Sequence, residues 1–501
     1  MKKLLITLLV PLLFAACVEP DIAPPDSPEE PKGEAGKIVS FSFLKQNNPE
    51  AVLANVVATV RKGEILTCSP MLLDVSNLVA TFKTDIGRVY IGDTEQISGT
   101  TPNDFSQPLT YRVVTDHGVE SEWLVSISNT GLPVVVITTP GNAAIPPKTE
   151  DWLEGTKLTI YSPEGGVDFD GEVNIRGRGN STWTFPKKPY AIKLNEKASI
   201  LGMPKHKRWV LLANWLDKTM LRNATSFHLA SLTGLEWTPR GEFVEVVLNG
   251  RHKGNYYLCE QIKIDKNRVD IAEVSDSDPS GGYLMELDVY FDEVFKFHSP
   301  VRSMPFMFKD PDEVSALQQA YMENFVATLE GALYDDVRFA TREYADYLDV
   351  DSFIDWWLVH ELTGNAEPMH PKSSYMHKDS GGKLKAGPVW DFDWETFVPY
   401  KSNVFVDKEA IYYGRLFQDE LFVARLKERW AELKPAFDGV GDYILREAER
   451  LAPSAALNNK MWPINVVVNG DEQLTYEVAV ERMYRSFVSK LKWLDQQIEG
   501  M

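Results

Sequence analysis

"NAEPMHPKSSYMHKDSGGKLKAGPVWDFDWE", residues 365–395, is the stretch on which the reading of this chain turns. "SSYMHK" (373–378) reads as a strand, "DSGG" (379–382) as a tight turn and "KLKAGPVW" (383–390) as the returning strand. A hairpin brings its two open ends together. Asn365, Glu367 and Lys372 before it therefore come close to Asp391 and Asp393 after it. Carboxylates gathered in so small a volume repel unless they share a proton or a cation. Mg2+ suits such a place, because it takes hard oxygen ligands and leaves positions open for phosphate oxygens. In an extended segment Asp391 and Asp393 turn the same way, and Trp390, Phe392, Trp394 and Phe397 supply the packing that holds them. Glu395 reads as exposed or as lying behind the pair.

An acid and an amide before a β-hairpin, with a metal-binding Asp after it, is the logic of a protein-kinase site. Such a site needs a phosphate-binding side, and "EVNIRGRGNSTWTFPKKPYAIKL" (172–194) offers one. Arg176, Gly177, Arg178, Gly179 and Asn180 form a Gly-containing turn at a strand end, able to present N–H groups and guanidinium to phosphate. Lys187 and Lys188 precede the next strand and Lys193 lies on it. A strand lysine steadied by a nearby Glu is the kinase solution, with Glu260 as the partner to look for. A Gly-Arg-Gly turn by itself is equally an ordinary hairpin corner.

The 501 residues are 44% hydrophobic and 25% charged, an ordinary globular balance with room for two or three domains. A formal net charge of -20 argues against nonspecific nucleic-acid binding, which needs clustered Lys and Arg. "MKKLLITLLVPLLFAACVEP" has the form of a secretory signal, with Ala15 and Ala16 before Cys17 as in a bacterial lipobox. The expectation is cleavage after residue 16, lipidation of Cys17, and an acidic Pro-rich tether over 17–36. That places the chain, lipid-anchored, at the outer membrane or surface of a Gram-negative bacterium. Cys68 and Cys259 are too few for a disulfide framework or a zinc site and read as buried free thiols.

Residues 37–131 read as a small all-β sandwich resembling Ig-like stalk modules, from short runs such as "KIVSFSFL" and "ESEWLVSIS". From Leu132 to Met501 a sheet-rich part gives way to a helical one, which predicts an α+β domain with two lobes. "DKTMLRNATSFHLASLTG" (217–234) predicts a helix capped by Asp217, and Asn249-Gly250 predicts a hairpin turn. Glu286 and Asp288 share one strand face, which offers them to the cleft, with a structural role as the safer reading. "HELTGNAEPMH" lacks the second His, one turn on, that a metalloprotease helix needs.

"RGRGNSTW", "KKPYAIKL", "LLANWLDKTMLRN", "GNYYLCEQI" and "GPVWDFDWE", in this order, resemble the CotH kinase family of spore-coat and secreted proteins. The resemblance implies an atypical kinase-like fold, ATP and Mg2+ as cofactors, and phosphate transfer to protein Ser or Thr by a chain acting as a monomer. It implies Asp391 as metal ligand, with Asp393 or Asn365 as second ligand, and Glu367 as the acid that orients or deprotonates the acceptor. Lys193 (or Lys188), Glu260, Arg176, Arg178 and Asn180 fall on the nucleotide side. Two departures stand out: Glu367 is a methylene longer than the Asp of the best-studied form, and Lys372 stands where an amide is expected. They keep open a catalytically inactive pseudokinase scaffold or adhesin. Asp-x-Asp with a divalent cation also keeps open a nucleotide-sugar transferase.

Overall fold

"PVVVIT" (133–138) is apolar without a break, which suits a strand buried on both faces. A computed structural model describes residues 33–501 apart from Pro70 and Asp276, with only the backbone of Ser69; the signal-like segment, Cys17 and residues 18–32 lie outside the described residues. Strand β1 (Val134–Thr138) does feed two cores. Val134 and Val136 pack among the N-terminal strands, while Val135 and Ile137 point into a second cluster with Ile160, Val173, Ile175, Leu211, Val246 and Leu258.

That second cluster fills a closed sheet. β1 pairs antiparallel with β2 (Leu153–Tyr161), followed by β3 (Val167–Gly177), β4 (Tyr190–Ile200) and β5 (Met203–Leu212). β6 (Gly241–Leu248) lies parallel to β1 and antiparallel to β7 (Arg251–Glu260), and β7 closes the ring on β5 through Trp209–Glu260 to Leu212–Tyr257. Closure leaves no free edge among these seven strands and puts one core at their centre. The β6–β7 turn sits at Asn249 and Gly250, with φ of 51° and 74°, the left-handed pair that a two-residue hairpin requires.

The N-terminal residues form a six-stranded sheet, a two-stranded one and three strands that extend the closed sheet beyond β7, around a core of Phe41, Phe43, Ile65, Phe105, Tyr111 and Val125. They are not held at a distance from the rest. Arg251 of β7 pairs with Val57, and Leu66 and Cys68 pack on Leu457 and Met461 of a C-terminal helix. Cys68 and Cys259 are both free and buried.

The second half builds a five-stranded antiparallel sheet from β8 (Tyr283–Leu287), β9 (Lys296–His298), β10 (Pro305–Asp310), β11 (Ser374–Lys378) and β12 (Leu384–Ala386), in the order β9-β10-β8-β11-β12. Around it lie α1 (Arg222–Ser231), α2 (Ala316–Tyr334), α3 (Val350–Thr363), α4 (Glu420–Phe437), α5 (Val440–Met461) and α6 (Tyr476–Gly500). The whole is α+β. Side-chain caps start these helices where the sequence supplies them: Ser315 with Gln318 for α2, Asp349 for α3, Thr475 for α6. α5 lies so close on β7 that a Cβ at Gly254 (φ +82°) would meet the Asn458 side chain at 2.5 Å. Among the described residues no helix is long and apolar enough to cross a membrane.

Two expectations shift in detail. The helix predicted from Asp217 begins at Arg222, because Asp217 instead caps a turn, accepting from the Thr219 N–H and reaching forward to the Arg222 N–H, each at 2.9 Å. The returning strand stops at Ala386; Gly387 N–H still donates to the Tyr375 carbonyl at 2.9 Å, and Pro388 has no N–H to continue the ladder.

Arg222, buried to 1%, ion-pairs Asp217 and Asp471 and donates to the Thr396 carbonyl at 3.1 Å. Removing the cation leaves two buried carboxylates uncompensated. Arg222→Ala is expected to cost about 3–5 kcal/mol of stability, read by chemical denaturation of the purified chain; a loss below about 1 kcal/mol, the size of a surface ion pair, would show that the buried triad does not hold this region.

Candidate active site

The segment after the hairpin, residues 389–397, has no ladder of its own. Asp391, Glu395 and Phe397 all take left-handed φ, at 67°, 51° and 52°. Its backbone groups are met by side chains instead. The Asn365 amide donates to the Asp391 carbonyl (3.1 Å) and Asn469 to the Asp393 carbonyl (3.0 Å). Phe392 N–H donates to Asn223 (2.9 Å) and Glu395 N–H to Asn469 (2.7 Å). Both carboxylates end up in the wall of one cleft.

That cleft has a volume of about 430 Å3, in the range of small-molecule sites. Its acid wall holds Asp391 and Asp393, with Asp288 and Glu286 from the β8 strand and its end. Burial pushes the Asp391 carboxyl above its ordinary range, only partly opposed by Arg178 and by the Ser373 hydroxyl, which donates to it at 3.3 Å. Burial also raises Asp393, and the neighbouring charges of Asp391 and Asp217 add to it. Glu367 is pushed up to about 9 by burial and by Asp391, against the pull of Lys372. Its Oε2 is buried with no hydrogen-bond partner. Glu367 thus faces the pair electrostatically, but it is not among the residues that line the cleft.

The opposite wall is cationic and comes from the closed sheet. Arg176 ends β3 and Arg208 lies on β5; their guanidinium groups lie 4.4 and 5.0 Å from the ring of Trp152. Arg178 lies 5.0 Å from the ring of Trp390. Among the described residues none of these three guanidiniums has a side-chain hydrogen bond or ion pair. The turn between them needs its glycine: at Gly179 (φ +79°) a Cβ would fall 1.9 Å from the Thr182 hydroxyl. Lys309 of β10 completes the wall, paired to Glu286 at 3.0 Å and to Glu293 at 2.5 Å. At one end the rings of Phe185 and Trp215 lie 4.9 Å apart, tilted by 31°.

Several expected roles move. Glu260 does not meet Lys193. It is fully buried and held by Arg240, with two bonds of 2.8 and 2.9 Å, and by Arg268 at 2.9 Å. Lys193 sits across from Arg208 in the β4–β5 register and outside the cleft lining. Lys188 is tied to the Trp183 carbonyl at 2.6 Å, also outside it. Lys187 does line the cleft, but its ammonium is buried and bound to Asn458 at 2.8 Å and to the Asn255 carbonyl, and burial lowers it to about 7. Asn365 is spent on bracing: its oxygen accepts from the Glu367 N–H (3.1 Å) while its amide holds Asp391. Asn180 donates to Asp292 at 3.3 Å. Glu395 pairs with Lys401 at 3.4 Å, away from the cleft. Arg208 and Lys309 were not legible as cleft residues, whereas Glu286 and Asp288, offered to the cleft by their shared strand face, do line it. Only the period-two spacing of Glu286 and Asp288 hinted at a shared face.

Among the described residues no three His, Cys, Asp or Glu side chains form a ready cation cage. The donor set still fits Mg2+, which is commonly held by one or two carboxylates with waters and phosphate oxygens completing the shell. Raised carboxyls and an orphaned Glu367 oxygen mark where positive charge would be welcome. Unpaired guanidiniums opposite them fit the phosphates of a nucleotide.

In the cation-free protein the sign of the pH effect follows. Glu367 holds its proton more tightly folded than unfolded, so stability falls as pH rises from the ordinary carboxylate range near 4.5 through about 9. Glu367→Gln is expected to raise the unfolding midpoint at pH 8 in chelator and to leave it unchanged near pH 4. Equal midpoints at pH 8 would show that the charge is not forced on the acid cluster.

Comparison with known proteins comes last. Residues 175–490 match the family described as CotH kinase protein. No curated protein matches the chain. Among solved structures, one from Bacteroides thetaiotaomicron with a provisional designation as a glycoside hydrolase is 17% identical with a TM-score of 0.14. The similarity covers 38% of this chain and 54% of that one, so the chain spans about half the length of the protein it matches.

Proposed function

The chain belongs to the CotH kinase protein family, and on that premise we propose that it transfers phosphate from ATP to Ser or Thr of a protein acceptor, in a two-lobed kinase-like arrangement with Mg2+ as cofactor. The observation that carries the reading is the pairing, across one cleft, of a buried acid pair with three unpaired guanidiniums.

Asp391 and Asp393 are the residues to hold the cation. When bound, Mg2+ neutralises charge on the phosphates and on the transferred group. Arg176, Arg178 and Arg208 hold phosphate oxygens, their planes fixed beforehand on Trp152 and Trp390, so little reorganisation is needed on binding. Lys309 takes the role first sought in Lys193, with Glu286 in place of Glu260. Phe185 and Trp215 offer an apolar end for the base. Glu367 holds its own proton below about pH 9 without the cation, and in this reading it orients or deprotonates the acceptor hydroxyl once Mg2+ has lowered it. The family's protein acceptor, attachment through Cys17 and a cell-surface location belong to the same proposal.

A second reading, a nucleotide-binding scaffold without transfer, is favoured by two observations: Glu367 stands off the cleft lining, and Asn365 is committed to bracing. Misplacing a reacting group by about an ångström costs on the order of a hundredfold in rate.

Radiolabelled transfer from ATP, with nucleotide sugars run alongside, tests the reading. Transfer that falls by about 100-fold or more in Asp391→Asn is expected. Binding of ATP and Mg2+ without transfer would favour the scaffold, and binding of neither would sink both. Arg208→Ala is expected to weaken inorganic triphosphate by about 10-fold, the loss of one charge-assisted bond, measured by calorimetry; unchanged affinity would remove Arg208 from the phosphate wall.

A further inference from the structure

The segment Tyr290–Phe295, "YFDEVF", joins β8 to β9 and gives Tyr290, Asp292, Glu293, Val294 and Phe295 to the lining of the cleft. Its ends are anchored. Tyr290 N–H donates to Asp288 (2.8 Å), Lys296 to the Phe291 carbonyl (2.7 Å), and Phe308 N–H to the Phe295 carbonyl (3.0 Å). Its middle is open to solvent, with Val294 85% exposed. From that middle two carboxylates reach groups of the cationic wall. Asp292 accepts from Lys148 at 3.0 Å and from Asn180, in the Gly-Arg-Gly turn, at 3.3 Å. Glu293 pairs with Lys309 at 2.5 Å, and its charge acts on the Arg176 guanidinium.

The partners of this strap come from three separate elements: the β1–β2 connection, the β3–β4 turn and β10. Asp292 therefore links the closed sheet to the second sheet, and Glu293 occupies the lysine assigned above to phosphate. We propose that the strap is an internal anion: Asp292 and Glu293 compete with polyphosphate for the cationic wall and hold the cleft in a self-inhibited state. The proposal rests on the phosphate reading of the cleft. The closure is weak by construction, because both ion pairs are partly exposed (36% and 40% for Lys148 and Asp292, 25% and 40% for Lys309 and Glu293). A multiply charged ligand displaces them; a stronger latch would keep it out.

The test uses the full chain, inorganic triphosphate as probe, and calorimetry in chelator. Neutralising the strap as Asp292→Asn with Glu293→Gln removes the competitor. Triphosphate is expected to bind about 10-fold more tightly to the double variant and about 3-fold more tightly to each single one. Backbone amides of residues 290–295 in the unaltered protein should exchange faster with solvent when triphosphate is bound. Equal affinity in all forms, or weaker binding in the variants, overturns the strap and leaves the phosphate reading standing. Failure of every form to bind triphosphate overturns both. Asp292 and Glu293 lie at the surface, so matching unfolding midpoints are expected and confirm that the variants fold.

Discussion

A loop without a ladder must still satisfy its backbone, and here the side chains that do so decide where the acids point. Residues 389–397 leave the β11–β12 hairpin and run through left-handed conformations that no strand or helix would hold. Asn223 and Arg222, at the start of α1, grip Phe392 and Thr396. Asn365, just past α3, and Asn469, from the C-terminal loop, grip Asp391 and Asp393. Buried backbone polar groups are costly when unmet, so each of these contacts restricts the loop to one path. The family's "LRN" and "WDFDWE" segments are thus two halves of one structural device, and the buried Arg222 ties it to Asp217 and Asp471.

The cleft itself is charge held apart. Acids crowd on the side built by the second sheet, and guanidiniums on the side built by the closed one. Among the described residues the three guanidiniums have no side-chain ion pair, while Glu286 on the acid side is paired to Lys309. Arg176 and Arg208 rest on Trp152 and Arg178 on Trp390, contacts that orient a guanidinium without consuming its hydrogen bonds. Trp152 lies before residue 175, ahead of the part of the chain matched to the family. The strap brings two further carboxylates, Asp292 and Glu293, to the cationic side.

Much of the site was legible because it is local. The strand-turn-strand reading of 373–390 needs only alternation and a Gly-rich turn, and it placed Asp391 and Asp393 correctly at one end of the hairpin. Arg176 and Arg178 follow from a turn at a strand end. The lysine was not legible in the same way. Lys187, Lys188 and Lys193 stand close together in sequence, yet one is buried under α5, one folds back on its own turn and one, on the same sheet face as Arg208, stays outside the cleft lining. Lys309 lies more than a hundred residues on and reaches the cleft only because β10 pairs with β8. Glu260, at the end of β7, was the partner looked for, but Arg240 claims it across the β6–β7 hairpin and Arg268 by tertiary packing.

By itself the sequence determined the α+β class, the hairpin, the acid pair and the arginine turn, because each rests on period, turn chemistry and residue type within about thirty residues. Tertiary structure decided which charges meet. The β3-β4-β5 pairing carries Arg208 to Arg176 over Trp152, and the N-terminal strands pack on the closed sheet because β1 has apolar side chains on both faces. An ion pair is a property of distance between groups that may be far apart in the chain, and only the packed fold sets that distance.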